Sequence, residues 1–319
     1  MRVFYTANGV YNYCKEYRQN VGFVPTMGAL HDGHLELVRT AKSQKKVVVV
    51  SVFVNPKQFN NPEDLKKYPR TISNDLRLLS ETGVDAVFVP SVSEIYPELN
   101  NIKSNFQSNE SILKGIDGIW EGEFRPGHFS GVVDVVRQLF EIVQPNSVYF
   151  GEKDLQQCLV IHRLIQQEFP QIQMNYVPTK RENSGLAMSS RNLRLSENAL
   201  IQASQIFKEL TFIKEQIHSE WNNRLLSNLN DPQNEKLEIK DFAHLNITQV
   251  WIEKSKSRLS QVGISCEYLN LILLPSMIEI NDFKYLTGND IEKPIKLAII
   301  FSGYLEEVRL IDNLTFELN

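Results

Sequence analysis

The chain has 319 residues, 42% of them hydrophobic and 23% charged, which is the composition of an ordinary globular protein with enough apolar material for a packed core. Its net charge of -4, with no basic stripe, argues against a nucleic-acid partner, and no stretch approaches the ~20 apolar residues of a membrane span. Three widely spaced cysteines (Cys14, Cys158 and Cys266) favour a reducing compartment over a disulfide framework, and the N-terminus lacks a signal-peptide pattern. We therefore expect a soluble cytoplasmic protein.

The first clear pattern is a strand, a glycine-containing turn and a helix. Residues 21–24 are apolar and predict a buried strand of a parallel sheet, which Pro25 stops. An amphipathic helix pattern begins near Leu35. Anionic ligands bind at such junctions in open α/β folds, because free backbone N–H groups and the positive end of the helix dipole meet there.

Two histidines, His31 and His34, flank Asp32 and Gly33 in this junction. If both lie in the first helical turn, they share a face and point into one cleft. Imidazolium groups there would stabilise the charge that develops when the α-phosphorus of a nucleotide is attacked, and Gly33 would let a ligand approach the backbone. The alternatives are capping or surface histidines, or half of a metal site, although no Cys or His at suitable spacing completes a zinc site. The pattern alone favours nucleotide binding.

Strands and helices then alternate, which is typical of a doubly wound sheet. A β-branched run at residues 47–54 predicts a central strand, and Gln58 follows it where polar side chains face ligands in this architecture. A helix is predicted over 73–81, with Asp75 near its start. At 151–154 another strand gives way to a helix, and Lys153 there either binds phosphate as a point charge or belongs to a solvated helix start.

The composition changes after Ser196, where two helical stretches and three strands are predicted. Just before this change, Arg191 stands beside two serines and forms either a mobile phosphate cap or part of a polar interdomain linker. We place a domain boundary near Thr179, which gives domains 1–179 and 180–319. The predicted fold class is α/β, a parallel-sheet domain followed by a smaller α+β domain.

Six sequence blocks resemble, in order, those of the pantoate–β-alanine ligase family of the nucleotidyltransferase superfamily. They are PTMGALHDGH (25–34), VFVNPKQF (52–59), YPRT (68–71), RPGHF (125–129), FGEKDLQQ (150–157) and MSSRN (188–192), and RLIDN (309–313) also resembles the family's ending. One His-x-Gly-His motif is weak evidence, whereas six ordered blocks are specific. The resemblance runs from about residue 21 to residue 318.

The resemblance implies a two-step, ATP-dependent ligase reaction. The carboxylate of pantoate attacks the α-phosphorus of ATP to give pantoyl adenylate and pyrophosphate, and the amine of β-alanine then displaces AMP to give pantothenate. Magnesium would lie beside the phosphates. The resemblance also implies that the domain 1–179 is Rossmann-like and binds ATP and pantoate, that the domain 180–319 is a lid, and that the protein is a homodimer.

The resemblance assigns roles to individual residues. His34 would be the proton donor, with His31 and Lys153 as further phosphate ligands. Gln58 and Gln157 would hold pantoate, with Tyr68 in the same pocket, and Asp75 would bind magnesium. The residues implied at the ATP site are Met27, Gly28, Ala29, Leu30, His31, Asp32, Gly33, His34, Gly151, Glu152, Lys153, Asp154, Lys180, Met188, Ser189, Ser190 and Arg191.

Three features depart from the family pattern. Asn74 and Ser184 stand where the family usually has acidic residues, and the segment 218–246 is longer than usual. The first two motivate one alternative, a degenerate nucleotide-binding protein without turnover. Another alternative is an adenylyltransferase for a phosphorylated acceptor. The neutral amides of Gln58 and Gln157 suit a small hydroxy acid better, since a phosphate acceptor would call for more Arg and Lys.

Overall fold

The structure is a computed structural model that describes residues 1–44, 46–97, 108–229, 247–276, 278–279 and 294–318. The chain divides into two compact units, the first with Met1–Lys180 and Met188–Ser190 and the second with Arg181–Ala187 and Arg191–Asn319. The sequence-based boundary, between residues 179 and 180, lies one residue from the end of the first unit's main segment. Of the long segment 218–246, residues 230–246 lie outside the described residues. No helix in the described ranges has both the length and the apolar character needed to span a bilayer.

The first unit is built on a six-stranded sheet whose strands all pair in parallel. The strands are β1 (Arg2–Phe4), β2 (Val21–Thr26), β3 (Val47–Val52), β4 (Ala86–Phe88), β5 (Ser147–Gly151) and β6 (Gln173–Val177). Their order across the sheet is β1-β4-β3-β2-β5-β6.

Apolar side chains on both faces of the sheet pack against helices. Alternate residues of β3 belong to two separate hydrophobic clusters, Val49 to one and Val48 and Val50 to the other, because successive side chains of a strand point to opposite faces. The helices of this unit are α1 (Ala7–Glu16), α2 (Asp32–Ser43), α3 (Pro62–Lys67), α4 (Ile72–Glu81), α5 (Val92–Ile95), α6 (Glu110–Leu113), α7 (Glu121–Phe124), α8 (His128–Val143) and α9 (Leu155–Glu168).

The strand order reverses direction between β2 and β5. From β2 the chain adds β3 and then β4 on one side, and it later adds β5 and β6 on the other. In such sheets the crevice outside the carboxyl ends of the two strands at the reversal is where ligands bind. The segment that follows β2 and the 3-10 turn Glu152–Asp154 that follows β5 both begin at this crevice.

The second unit packs helices on a four-stranded antiparallel sheet. Its elements are α10 (Glu197–Ala203), α11 (Gln205–Leu229), α12 (Ile247–Gln261), β7 (Ser265–Leu273), β8 (Ile278–Glu279), β9 (Ile295–Leu305) and β10 (Val308–Leu318). The strand order is β10-β9-β7-β8. The predicted fold class, a parallel α/β sheet followed by a smaller C-terminal α+β part, is therefore confirmed.

Candidate active site

The loop between β2 and α2 has a strained backbone. Gly28 has a φ of 81° and Ala29 a φ of 50°, so two consecutive residues adopt the left-handed region. This region costs an L-residue such as alanine roughly 1–2 kcal/mol. A Cβ atom on Gly28 would lie 2.9 Å from both Val52 Cγ1 and Asp75 Oδ2, so this position requires glycine.

The carboxylate of Asp75 holds this loop in place. Its Oδ2 accepts a hydrogen bond from the backbone N–H of Ala29 at 3.1 Å, and its Oδ1 accepts one from Leu30 at 2.9 Å. The hydroxyl of Thr71 donates to Oδ1 at 3.1 Å. Asp75 is only 1% exposed, so these bonds satisfy amide groups that water does not reach. A side chain of α4 therefore holds the backbone that precedes His31 in place.

These contacts do not support Asp75 as a magnesium ligand. Both carboxylate oxygens are engaged by donors of the protein. Within the described ranges, no group of three or more His, Cys, Asp or Glu side chains is placed to hold a metal ion. Among the described residues, the side chains thus do not form a cluster that would hold Mg²⁺ by itself.

His31 and His34 come together at the start of α2. His31 caps the helix with extended backbone, and His34 lies in the first turn. Their ring centroids are 4.0 Å apart with planes tilted by 40°. The backbone N–H of His31 donates to Nδ1 of His34 at 3.4 Å. Because Nδ1 of His34 accepts this bond, the neutral ring carries its proton on Nε2.

Both imidazoles are neutral at pH 7. Burial lowers the pKa of His31 to about 4, and the positive charge of Lys153 contributes. Burial lowers the pKa of His34 well below its usual range, with further contributions from His31 and Lys153. At pH 7 the two rings are therefore neutral N–H donors rather than the imidazolium groups of the sequence interpretation. Bound phosphate would raise both pKa values, since it introduces negative charge.

Residues from beyond β6 also lie at the start of α2. A Cβ atom on Gly33 would be 3.0 Å from the ring of His31 and 3.6 Å from Cβ of Met188, so the glycine lets these two side chains approach. The N–H of Met188 donates to the carbonyl of Lys180 at 3.0 Å. The ammonium of Lys180 lies 3.7 Å from a carboxylate oxygen of Asp32.

Lys153 approaches the histidines from the neighbouring strand. Gly151 ends β5, and the 3-10 turn Glu152–Asp154 follows. The ammonium of Lys153 lies 3.6 Å from Asp154 Oδ2, and its charge reaches both histidines, since it helps to lower their pKa values. Burial raises the pKa of Glu152. The reversal of strand order thus brings a cation and two imidazoles to the same part of the first unit.

Gln58 lies against the same loop. It ends the 3-10 turn Pro56–Gln58 after β3 and is buried. Its Nε2 contacts the sulfur of Met27 at 2.9 Å, and its Oε1 accepts from Nδ2 of Asn55 at 3.2 Å. The hydroxyl of Tyr96 donates to Asn55 Oδ1 at 2.9 Å. The amide of Gln58 is therefore oriented by neighbours on both sides.

The other two predicted pantoate residues occupy different surroundings. Tyr68 is buried and packs edge-on against Phe59, with ring centroids 5.6 Å apart. Gln157 lies in the first turn of α9 and is half-buried, and its side-chain amide forms no hydrogen bond within the described part of the chain. Of the remaining predicted residues, Ser189 and Ser190 belong to the first unit and Arg191 to the second.

Three polar residues of the site region had no role in the sequence analysis. Asn55 orients Gln58, and His128 contacts the backbone of Gln58. Gln156 donates to the carbonyls of Ile116 at 2.7 Å and Ile119 at 2.9 Å. All three lie inside the sequence blocks quoted above, and their place in those blocks is the sequence signal that could have identified them. His128 and Gln156 contact segments distant in sequence, and Asn55, although close to Gln58 in the chain, is itself held by Gly131 and Tyr96.

The sequence is similar to a known family over most of its length. The sequence model of the family described as Pantoate-beta-alanine ligase matches residues 2–315. A pantothenate synthetase from Cytophaga hutchinsonii is 41% identical over 306 residues, covering 95% of this chain and 94% of the relative. One from Alteromonas mediterranea is 42% identical over 296 residues, covering 93% and 91%.

Solved structures share the fold. A crystal structure of pantothenate synthetase from Thermus thermophilus matches with a TM-score of 0.75 and 34% identity, covering 98% of this chain and 99% of that one. A pantoate-beta-alanine ligase from Francisella tularensis, complexed with beta-gamma ATP and beta-alanine, matches with a TM-score of 0.69 and 32% identity, covering 98% and 97%. The chain belongs to the pantoate–β-alanine ligase family.

Proposed function

We propose that this protein condenses pantoate and β-alanine to pantothenate at the expense of ATP, through pantoyl adenylate. One observation carries the proposal: two neutral imidazoles and the ammonium of Lys153 meet where the strand order reverses, and the amide of Gln58 lies against the same loop. This arrangement offers donors for phosphate beside a neutral hydrogen-bonding group for a small hydroxy acid. The Francisella tularensis relative, complexed with beta-gamma ATP and beta-alanine, supports the same substrates here.

In the proposed first step, the triphosphate of ATP lies at the N-terminus of α2. The exposed N–H groups of the helix start and the positive end of its dipole favour an anion there. A carboxylate oxygen of pantoate attacks the α-phosphorus. An O–P bond forms as the bond from the α-phosphorus to the bridging oxygen breaks, and pyrophosphate leaves. His34, His31 and Lys153 stabilise the charge on the phosphate oxygens, and His34 does so by donating a hydrogen bond from its Nε2–H.

In the proposed second step, the amine of β-alanine attacks the acyl carbon of pantoyl adenylate. A C–N bond forms, the bond between the acyl carbon and the AMP oxygen breaks, AMP leaves, and the proton that the amine loses passes to solvent. Gln58 and Gln157 hold pantoate by hydrogen bonds throughout, with Tyr68 beside them. The acyl group of pantoyl adenylate is already activated, because AMP is a good leaving group. The protein's part in this step is therefore to position the reactants and exclude water.

Magnesium, on this proposal, is bound chiefly by phosphate oxygens of ATP. Mg²⁺ commonly keeps most of its ligands as water and substrate phosphate, so a protein-held cage is not required. Lys180, Met188, Ser189, Ser190 and Arg191 also belong to the proposed ATP site, as the family resemblance implies. A homodimer in the cytoplasm is part of the same proposal and rests on the family resemblance.

Pyrophosphate release tests the proposed function. Purified protein is incubated with ATP, Mg²⁺ and pantoate, each omitted in turn, and pyrophosphate is measured. We expect release only when all three are present, and AMP and pantothenate when β-alanine is added. Tight ATP binding without turnover would instead support the degenerate nucleotide-binding protein. Pyrophosphate release with a phosphorylated acceptor but not with pantoate would support a different adenylyltransferase.

Gln157→Ala is expected to raise the KM for pantoate about tenfold or more and to leave the KM for ATP within about twofold of the wild-type value. The reason is that the amide of Gln157 has no hydrogen bond within the described chain, so its loss removes a substrate contact rather than a structural one. Gln156→Ala is the matched control, since the neighbouring amide holds backbone carbonyls and its loss should lower the melting temperature. An equal rise in both KM values would make Gln157 structural.

A further inference from the structure

The sequence block RPGHF, residues 125–129, resembles the family but has no role in the proposed reaction. It forms the start of α8, with Gly127 at a φ of 79° as the residue before the helix. His128, the first helical residue, is buried. Its ring is directed at the 3-10 turn Pro56–Gln58 rather than at solvent. The block therefore connects α8 to the turn that carries the proposed pantoate amide.

His128 forms a hydrogen bond to the backbone of Gln58. Its Nδ1 lies 2.9 Å from the carbonyl oxygen of Gln58, which can only accept, so Nδ1 carries the proton. Its Nε2 lies 3.1 Å from Nη1 of Arg125, which can only donate, so Nε2 is unprotonated. The two neighbours thus require the same neutral tautomer. Burial and the adjacent guanidinium agree with this, since they lower the pKa of His128 to about 3.

Arg125 is itself held from the other side. Its Nη1 lies 3.6 Å from a carboxylate oxygen of Glu121, and its Nη2 donates weakly to the carbonyl of Gln58 at 3.5 Å. The result is a series of contacts from a carboxylate through a guanidinium and an imidazole to one carbonyl oxygen. Such a network favours one orientation of its last member, because each member is held by its neighbours.

Close packing at the next turn of α8 fixes the same backbone. A Cβ atom on Gly131 would lie 2.4 Å from the carbonyl oxygen of Lys57 and 2.7 Å from the backbone nitrogen of Gln58. The carbonyl of Gly131 accepts a hydrogen bond from Asn55 Nδ2 at 2.9 Å. Asn55 in turn donates to the side chain of Gln58. The helix start therefore contacts both the backbone and, through Asn55, the amide of Gln58.

We propose that His128 is a positioning residue for pantoate, which acts by holding the backbone of Gln58 with its Nδ1–H so that the Gln58 amide meets the substrate in a fixed direction. Arg125 and Glu121 keep His128 in the tautomer that can do this. The inference rests on the proposed function, since it requires that Gln58 binds pantoate. It gives the RPGHF block a role in substrate affinity without contact to the reacting atoms.

Three substitutions at position 128 test the inference in the pyrophosphate-release assay. Asparagine can place a side-chain N–H where Nδ1 stands, whereas glutamine reaches the place of Nε2 and leaves the Gln58 carbonyl without this donor. Leucine fills space and donates nothing. We expect His128→Leu and His128→Gln to raise the KM for pantoate about tenfold or more, with the KM for ATP within about twofold. His128→Asn should recover most of the lost pantoate affinity.

A control distinguishes these effects from a general loss of structure. His218→Leu removes an imidazole from the second unit, where its ring packs against Phe316, and should leave both KM values unchanged. If His128→Leu does not fold, the comparison of asparagine with glutamine decides, since both are polar amides. Equal rises in the two KM values, or equal behaviour of His128→Asn and His128→Gln, would overturn the positioning role. A wild-type protein that releases no pyrophosphate would overturn the proposed function itself, whatever the variants do.

Discussion

His34→Ala is expected to raise the barrier to pyrophosphate release by ~2–4 kcal/mol, which corresponds to a rate roughly 30–1,000-fold slower. This is the range for removing one preorganised donor from a site where charge develops. The KM for ATP should change much less, because the helix start and Lys153 still attract the phosphates. Rapid-quench measurement of the first turnover with saturating ATP, Mg²⁺ and pantoate reports the chemical step directly.

The environment of His34 explains why one side chain has so large an expected effect. Its Nδ1 is occupied by the N–H of His31, so the Nε2–H is the donor left for a phosphate oxygen. Burial, His31 and Lys153 keep the ring neutral before ATP binds, and no water has to be ordered when charge develops. As the phosphate oxygens gain charge in the transition state, this N–H bond strengthens more than it does in the ground state.

Two further substitutions separate capping from catalysis at this position. His34→Asn keeps an acceptor near the N–H of His31 but has nothing at the place of Nε2, so it should fold well and remain as slow as His34→Ala. His34→Gln reaches the place of Nε2 with an amide N–H and should recover part of the rate. A His34→Ala variant that retains more than half of the wild-type rate would remove His34 from the catalytic residues.

The parts of this protein that could be predicted from sequence are those fixed by neighbours along the chain. The β-branched run of β3 and the strand-turn-helix pattern before α2 are local, so these elements form, but their ends differ from the prediction. Strand β2 continues through Pro25 to Thr26, β3 ends at Val52 rather than at residue 54, and α2 begins at Asp32 rather than near Leu35. The two histidines meet because residues three apart share a face at a helix start. Lys153 was found for a similar reason, since it follows a strand that ends at the same sheet edge.

The parts that escaped prediction depend on distant partners. Strand β1 has only three residues and is defined by pairing with β4, more than 80 residues away. Asp312 and Asn313 are residue types that favour turns, which would end strand β10 at residue 311. Instead it continues to Leu318, since Arg181 binds both carboxylate oxygens of Asp312 and the carbonyl of Asn313. Such ion pairs stabilise polar residues inside a strand, and the local sequence pattern does not reveal the ion pairs.

The observed contacts of Asp75 also depend on partners that are distant in sequence. A carboxylate beside a phosphate site suggests a magnesium ligand, and the resemblance implied that role. The structure shows the side chain bonded to Ala29 and Leu30, about 45 residues earlier in the chain. The two interpretations predict different behaviour, so an experiment on Asp75 also tests how the loop before His31 obtains its shape.

Asp75→Asn is expected to destabilise the protein by ~1–3 kcal/mol and to slow pyrophosphate release at every Mg²⁺ concentration. The amide keeps one acceptor oxygen, but its NH₂ group then faces a backbone N–H that has lost its partner. Ala29 would lose the contact that offsets its left-handed backbone, and the helix start with His31 would shift. Urea unfolding without nucleotide or metal measures the first effect, and steady-state rates across a Mg²⁺ titration measure the second.

A metal ligand would give a different result from the same variant. Loss of a Mg²⁺ ligand should raise the Mg²⁺ concentration needed for half-maximal rate, and excess Mg²⁺ should restore activity, while stability without metal should hardly change. The loop-holding role predicts lower stability without metal and no rescue by Mg²⁺. Asn74→Ala is the matched control, because this residue is exposed on the same helix and its side chain accepts a hydrogen bond from Arg77, also exposed on that helix. Rescue of Asp75→Asn by Mg²⁺ with wild-type stability would show that the carboxylate serves the metal, and the shape of the β2–α2 loop would then have to come from its glycine alone.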